Sequence, residues 1–153
     1  MKTKADVVAL ASSIAARAHA GQVDKTGHAY ITHPIRVAER VRRLFPDTPP
    51  DVEAAALLHD VLEDTPVTAG DLLAAGIPQP VVDAVDAVTK RQGESTEDYF
   101  SRVRANEWAT QVKTADIDDN TDPDRTAQLD EATRLRLDAK YTRARALLAG
   151  AAS

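Results

Sequence analysis

Side chains able to bind a metal ion or carry a proton are concentrated in the segment Ala54-Ala-Ala-Leu-Leu-His59-Asp60-Val-Leu-Glu63-Asp64-Thr65. Read as part of one helix from Asp51 to Asp64, with His59 at zero, it puts Glu63 near ~40°, Asp60 near ~100° and Asp64 near ~140°. Leu57, Leu58, Val61 and Leu62 occupy the other side. An imidazole and three carboxylates therefore share less than half of the circumference. A solvated acidic face beside a core stripe is the ordinary explanation of such a pattern. It leaves the crowding unexplained, because the three acids repel one another and have no cation four residues away. A bound divalent cation would neutralise them, with His59 and Asp60 as ligands.

A metal site needs ligands from further elements. His33, followed by Pro34, is the next candidate, although a lone histidine there is more often a satisfied or surface residue; His19 and His28 carry no better signal. The other cluster is Lys113-Thr-Ala-Asp116-Ile-Asp118-Asp119-Asn120. Its alternating oxygens suggest a calcium loop, but Thr121 stands at the glycine position of such a loop and Ala127 at the bidentate glutamate position. An Asx-rich turn closing a helix is the simple alternative. It leaves several acids at the negative end of a helix dipole, an unfavourable place for them.

The elements that must position these residues read as helical almost throughout. Val7, Leu10, Ala11, Ile14 and Ala18 recur at three- and four-residue steps, and Gly21 stands at the stop. Residues 22–33 read as a loop, and Pro34 as the opening of a second helix. Thr68 to Ala75 carries a loose capping box, Thr68-Ala-Gly-Asp71, with Gly76 behind it. Val81, Val82, Val85 and Val88 mark another helix, and Ser95-Thr-Glu-Asp98 starts the next. A helix around Trp108 to Asp118 runs into the polar stretch 120–124, and a last one carries Leu137, Tyr141, Ala144 and Leu148. No alternating strand pattern is convincing. The expectation is an all-α single domain over residues 1–153, with a frayed end at about 150–153.

The chain has 153 residues and a formal net charge of −5, with 43% hydrophobic, 28% charged and only 4% aromatic residues. Such a balance fits a globular domain with an aliphatic core. The absence of cysteine excludes disulfides, thiolate metal sites and cysteine nucleophiles. Acidic charge and scarce aromatics argue against a nucleic-acid partner. No run approaches a membrane span, and the lysines near Met1 precede no signal-peptide apolar block. A cytoplasmic location is expected.

Taken in order, the pieces are Gly21-Gln22, Lys25, Gly27, Tyr30-Ile-Thr-His33-Pro34, Ala55 to Thr65, Val88-Thr89-Lys90, and Lys113-Thr-Ala-Asp116 with Asn120. This set resembles the HD-domain hydrolases of the RelA/SpoT type. It is most similar to the stand-alone small alarmone hydrolases that include the metazoan SpoT homologs. The resemblance covers residues 5–148. It implies a compact HD-domain bundle of about seven to nine helices around one divalent ion, usually manganese. It implies removal of pyrophosphate from the ribose 3′ position of ppGpp or pppGpp. Carried over by position, His33, His59, Asp60 and Asp116 are the metal ligands, and Glu63 and Asp64 the catalytic acidic pair. Lys25, Thr89, Lys90 and Asn120 lie by the nucleotide.

Two stretches depart from the family pattern. Asp24 stands beside Lys25 where a basic run is usual, and Ile117-Asp118-Asp119 is more acidic than usual; both bear on substrate preference. The ligand types alone suit manganese, iron, cobalt and zinc. The length suits a hydrolase without a synthetase domain. The competing readings are an HD phosphohydrolase for another nucleotide, such as another purine alarmone or NADPH, and an inactive metal-stabilised nucleotide-binding module.

Overall fold

A computed structural model describes residues 4–150. Among these residues the regular structure is helical: α1 (Lys4–Ala18), α2 (Thr32–Leu44), α3 (Pro50–Leu58), α4 (Val61–Asp64), α5 (Ala69–Ala75), α6 (Gln79–Val88), α7 (Thr96–Arg104), α8 (Glu107–Asn120), α9 (Pro123–Thr126) and α10 (Glu131–Leu148). Eight are helices of at least seven residues, while α4 and α9 are single turns. The one pairing of extended backbone is an isolated bridge between Val23 and Ala29. None of the described helices is long and apolar enough to cross a membrane. The expected fraying falls mostly on residues 151–153, outside the described residues.

The helix boundaries have visible chemical causes. Thr68 and Asp71 form the capping box, each side chain taking the other's backbone N–H. Ser95, Asn106 and Asp130 cap α7, α8 and α10 with their side-chain oxygens. Gly76 ends α5 at φ 104°, a left-handed conformation that a side chain would strain. Burial of Val81, Val82, Val85 and Val88 overrides valine's preference for strands in α6.

α3 is the centre of the molecule. Val52 and Ala54 to Leu58 are all buried, so beyond Glu53 this helix is apolar on every side rather than striped. Its alanines allow α1, α2, α6 and α8 to pack around it. One continuous core joins these helices to α5, α7 and α10.

Two boundaries differ from the sequence expectation, and both matter for chemistry. The helix from Asp51 to Asp64 is broken between Leu58 and Val61. The His59 amide bonds the Ala56 carbonyl at 3.3 Å, one residue short of helical register. The His59 Nδ1–H donates to the same carbonyl at 2.6 Å, and Asp60 sits at φ −104°, ψ 0°. The continuous wheel therefore ends at His59. The other shift is in α2, which begins at Thr32, so His33 lies in its first turn.

Candidate metal centre

Four elements converge where α3 breaks. α2 supplies His33, the α3–α4 break supplies His59 and Asp60, α4 supplies Glu63 and Asp64, and α8 supplies Asp116. Lys113, Asp116 and Asn120 fall at i, i+3 and i+7 of α8 and so face one way. The ligand atoms of His33, His59 and Asp60 lie within 4.8 Å of one another. Asp116 Oδ1 stands 2.9 Å from His33 Nε2 and 3.3 Å from His59 Nε2. Asp60 Oδ2 is 3.1 Å from His59 Nε2 and 3.9 Å from His33 Nε2.

Whether a cation fits is decided at the imidazoles. The Nδ1–H of His59 is committed to the Ala56 carbonyl, which leaves Nε2 as the bare nitrogen. That Nε2 is buried and makes no well-directed hydrogen bond, although two carboxylates crowd it. His33 likewise turns Nδ1 away, to Asp119 Oδ2 at 2.7 Å, and Nε2 towards Asp116. Two nitrogen lone pairs and two carboxylates thus aim at one place, and His33, His59 and Asp60 could hold a divalent metal ion.

The charges fit that purpose. Burial works against the ionised form of Asp116, but Lys113 at 3.1 Å and the two imidazoles hold its carboxyl well below the usual range. Burial also opposes ionisation of Asp60, yet His59 and then His33 bring its pKa down to about 2. Burial would lower the His59 pKa, but Asp60 and Asp116 raise it well above normal. The site draws positive charge onto its own imidazoles, and a bound cation takes the place of those protons.

The ligand cluster is the floor of a cavity of about 460 Å³, within the usual range for small-molecule sites. Glu63 and Asp64 lie on its wall. Glu63 Oε1 accepts the Lys90 backbone N–H at 3.1 Å. The Asp64 pKa is raised by burial and by repulsion from Asp60 and Glu63. Lys25, Lys90, Lys140 and Arg125 also line the space. Among the described residues, no carboxylate forms an ion pair with Lys25, Lys90 or Lys140. Lys140 has a lowered pKa, from burial and then from Lys90, Lys113 and Lys25.

Of the ten residues singled out in the sequence, nine line this cavity, and Thr89 does not. Its hydroxyl donates to the Val85 carbonyl at 2.7 Å, the usual outlet for a threonine closing a helix. Asn120 donates to Asp116 Oδ1 at 3.1 Å. The acids of the two departures have partners of their own, although Asp24 also lines the cavity. Asp24 bonds the backbone N–H groups of Thr26 and His28, shaping the Lys25 loop. Asp119 is fully buried beneath His33.

Several residues were not singled out. Tyr30 donates its hydroxyl to Asp60, and its ring lies 5.9 Å from that of His33. Tyr30 stood inside the motif, but nothing in its spacing showed which side chain it would meet. Lys140 is one cation among several in the sequence of α10. Its place one residue before the core-facing Tyr141 is the signal the sequence offers.

A family model described as the HD domain matches residues 11–137. The chain belongs to the HD-domain family. This HD domain is 44% identical over 77 residues to a guanosine-3′,5′-bis(diphosphate) 3′-pyrophosphohydrolase of Haemophilus influenzae, covering 50% of the chain and 11% of that protein. It is 46% identical over 59 residues to the bifunctional (p)ppGpp synthase/hydrolase SpoT of Escherichia coli K12, covering 39% of the chain and 8% of that protein. The chain spans about a tenth of the length of these curated relatives. A solved structure, described as a metazoan ortholog of SpoT that hydrolyzes ppGpp, superposes with a TM-score of 0.79 at 23% identity. That match covers 100% of this chain and 91% of the other, and it supports the HD-domain fold.

Proposed function

We propose that this HD domain is a manganese-dependent hydrolase that removes pyrophosphate from the ribose 3′ position of ppGpp or pppGpp, leaving GDP or GTP. One observation carries the reading. His33, His59, Asp60 and Asp116 converge at the floor of a cavity whose wall bears two carboxylates and three lysines without ion-pair partners among the described residues, an arrangement that suits a polyanion hydrolysed by water. The names of the local relatives support the choice of nucleotide.

The bond changes are simple. A water oxygen bonds to the phosphorus attached to the 3′ oxygen, and the bond from that phosphorus to the 3′ oxygen breaks. One proton leaves the water and one reaches the departing ribose oxygen. When bound, a divalent ion supplies Lewis acidity to the water and the phosphoryl oxygen. His33, His59, Asp60 and Asp116 would hold that ion. Asp64, with its raised pKa and no hydrogen bond to its carboxylate among the described residues, accepts the water's proton. Glu63 is steadied by the Lys90 amide and orients the same water. Lys25, Lys90 and Lys140 hold the phosphates and offset charge that builds up on the transferring group.

The test is to offer the purified chain ppGpp, pppGpp and NADPH with Mn²⁺ or with chelator. Manganese-dependent release of pyrophosphate from ppGpp supports the reading. Cleavage of NADPH alone, or of none of the three, overturns it.

A further inference from the structure

Asp119 lies one turn beyond Asp116 on α8 and is completely buried. Burying a carboxylate is costly unless its partners are well placed. Here they are divided between its two oxygens. Oδ1 accepts Arg36 Nε at 3.0 Å and Arg40 Nε at 3.2 Å. Oδ2 accepts Arg125 Nη1 at 2.9 Å and stands 2.7 Å from His33 Nδ1. Arg40 is fixed in turn by Asp118 and Asp122, each at 2.6 Å. Three guanidiniums around one carboxylate keep it ionised, so it can only accept, and His33 Nδ1 must be the donor.

We propose that Asp119 is a positioning residue for the metal centre, fixing His33 in the tautomer and ring orientation that present its Nε2 lone pair to the ion. The proposal rests on the metal-dependent reading above. The two histidines differ in how this is achieved. The tautomer of His59 is set by a backbone carbonyl, which no substitution removes. That of His33 is set by a side chain. The acids before Asn120, which looked like a substrate-facing departure from the family pattern, include a support for a ligand.

The arginines make the proposal testable with an isosteric change. In Asp119→Asn either orientation sets the amide nitrogen against an arginine, and the oxygen at the Oδ1 place keeps the bonds from both Arg36 and Arg40 at the expense of the one from Arg125. The amide nitrogen then takes the Oδ2 place, where it gives up the bond from Arg125 Nη1 and donates to His33 Nδ1 instead of accepting. His33 then carries its proton on Nε2 and cannot ligate.

Two measurements decide. Competition titration of Mn²⁺ and Zn²⁺ into the full chain should show D119N binding roughly ten- to hundred-fold more weakly than the parent, with its helical circular dichroism unchanged. Equal affinity in a folded D119N overturns the proposal. Nitrogen-15 NMR of the zinc-loaded parent should show His33 protonated at Nδ1 and ligated through Nε2, whatever the fate of the variant. A His33 ligated through Nδ1, or not ligated, overturns it. A parent that takes up no ion overturns the metal-dependent reading itself and this proposal with it. A parent that binds metal beside an unaffected D119N overturns the positioning role alone.

Discussion

At the floor of the cavity, His33, His59 and Asp116 are each less than a tenth exposed and tied by hydrogen bonds to fixed partners. At the rim, Lys25, Lys90, Glu63 and Asp64 are exposed, and the lysines have no carboxylate partner among the described residues. The floor spends its polar groups on geometry and leaves two nitrogen lone pairs over. The rim leaves whole charges over. A preorganised site for a small hard cation needs the first arrangement, because ligand direction decides affinity. A site that must admit and release a large polyanion suits the second, because unpaired surface cations give attraction without a rigid fit. Changes at the floor should therefore abolish function through loss of the ion, changes to the rim's two carboxylates should lower turnover, and changes to its lysines should grade function through substrate affinity.

The largest effect is expected from Asp60→Ala. Removing one ligand from a crowded, buried set should abolish measurable metal binding by titration and turnover along with it; a variant that keeps both would move Asp60 out of the floor. Next come Glu63→Ala and Asp64→Ala, which belong to the wall. Each should keep its metal and lose roughly 10²–10⁴-fold in kcat, the usual contribution of proton transfer and its positioning. Normal turnover in either would remove that residue from the chemistry.

Lys140→Ala should act mainly on KM, raising it by about tenfold or more as one charge-assisted contact to phosphate is lost. The pH dependence has a definite sign. The lowered Lys140 pKa means that its charge is lost at a lower pH than an ordinary lysine's. KM should therefore begin to rise on the alkaline side below the normal lysine range. Lys140→Arg should move that rise to higher pH with kcat little changed. An unshifted alkaline limb would separate Lys140 from the substrate. The smallest effect is expected from Thr89→Val, since its hydroxyl serves Val85 and lies off the cavity. A KM within about twofold of the parent fits the loss of one local hydrogen bond; a tenfold rise would return Thr89 to the rim.

The floor was far more legible in the sequence than the rim. His59-Asp60 and Glu63-Asp64 drew notice because acids so crowded have no local cause, and the structure gathers them with His33 and Asp116. The way they gather was hidden. Periodicity predicted one helix through His59, but the helix breaks there because the imidazole claims the Ala56 carbonyl. That is a side-chain choice made in three dimensions. Asp119 shows the same limit, because its meaning depends on Arg36, Arg40 and Arg125 arriving from α2 and the segment after α8. At the rim, Lys140 and Arg143 carry the same kind of signal in α10, yet Arg143 pairs with Glu97 while Lys140 faces other lysines. Cations on a helix face are common, and only packing separates those that wait for an anion.

The central claim is that the floor's ion and the rim's lysines serve hydrolysis of one 3′-phosphorylated nucleotide. The most direct measurement is the product analysis of ppGpp incubated with the purified chain, with Mn²⁺ present and then removed by chelation. GDP and pyrophosphate in equal amounts, formed only with the ion and restored when it is added back, is the expected result. Intact ppGpp in the presence of bound Mn²⁺, or phosphate released one unit at a time, would contradict the claim.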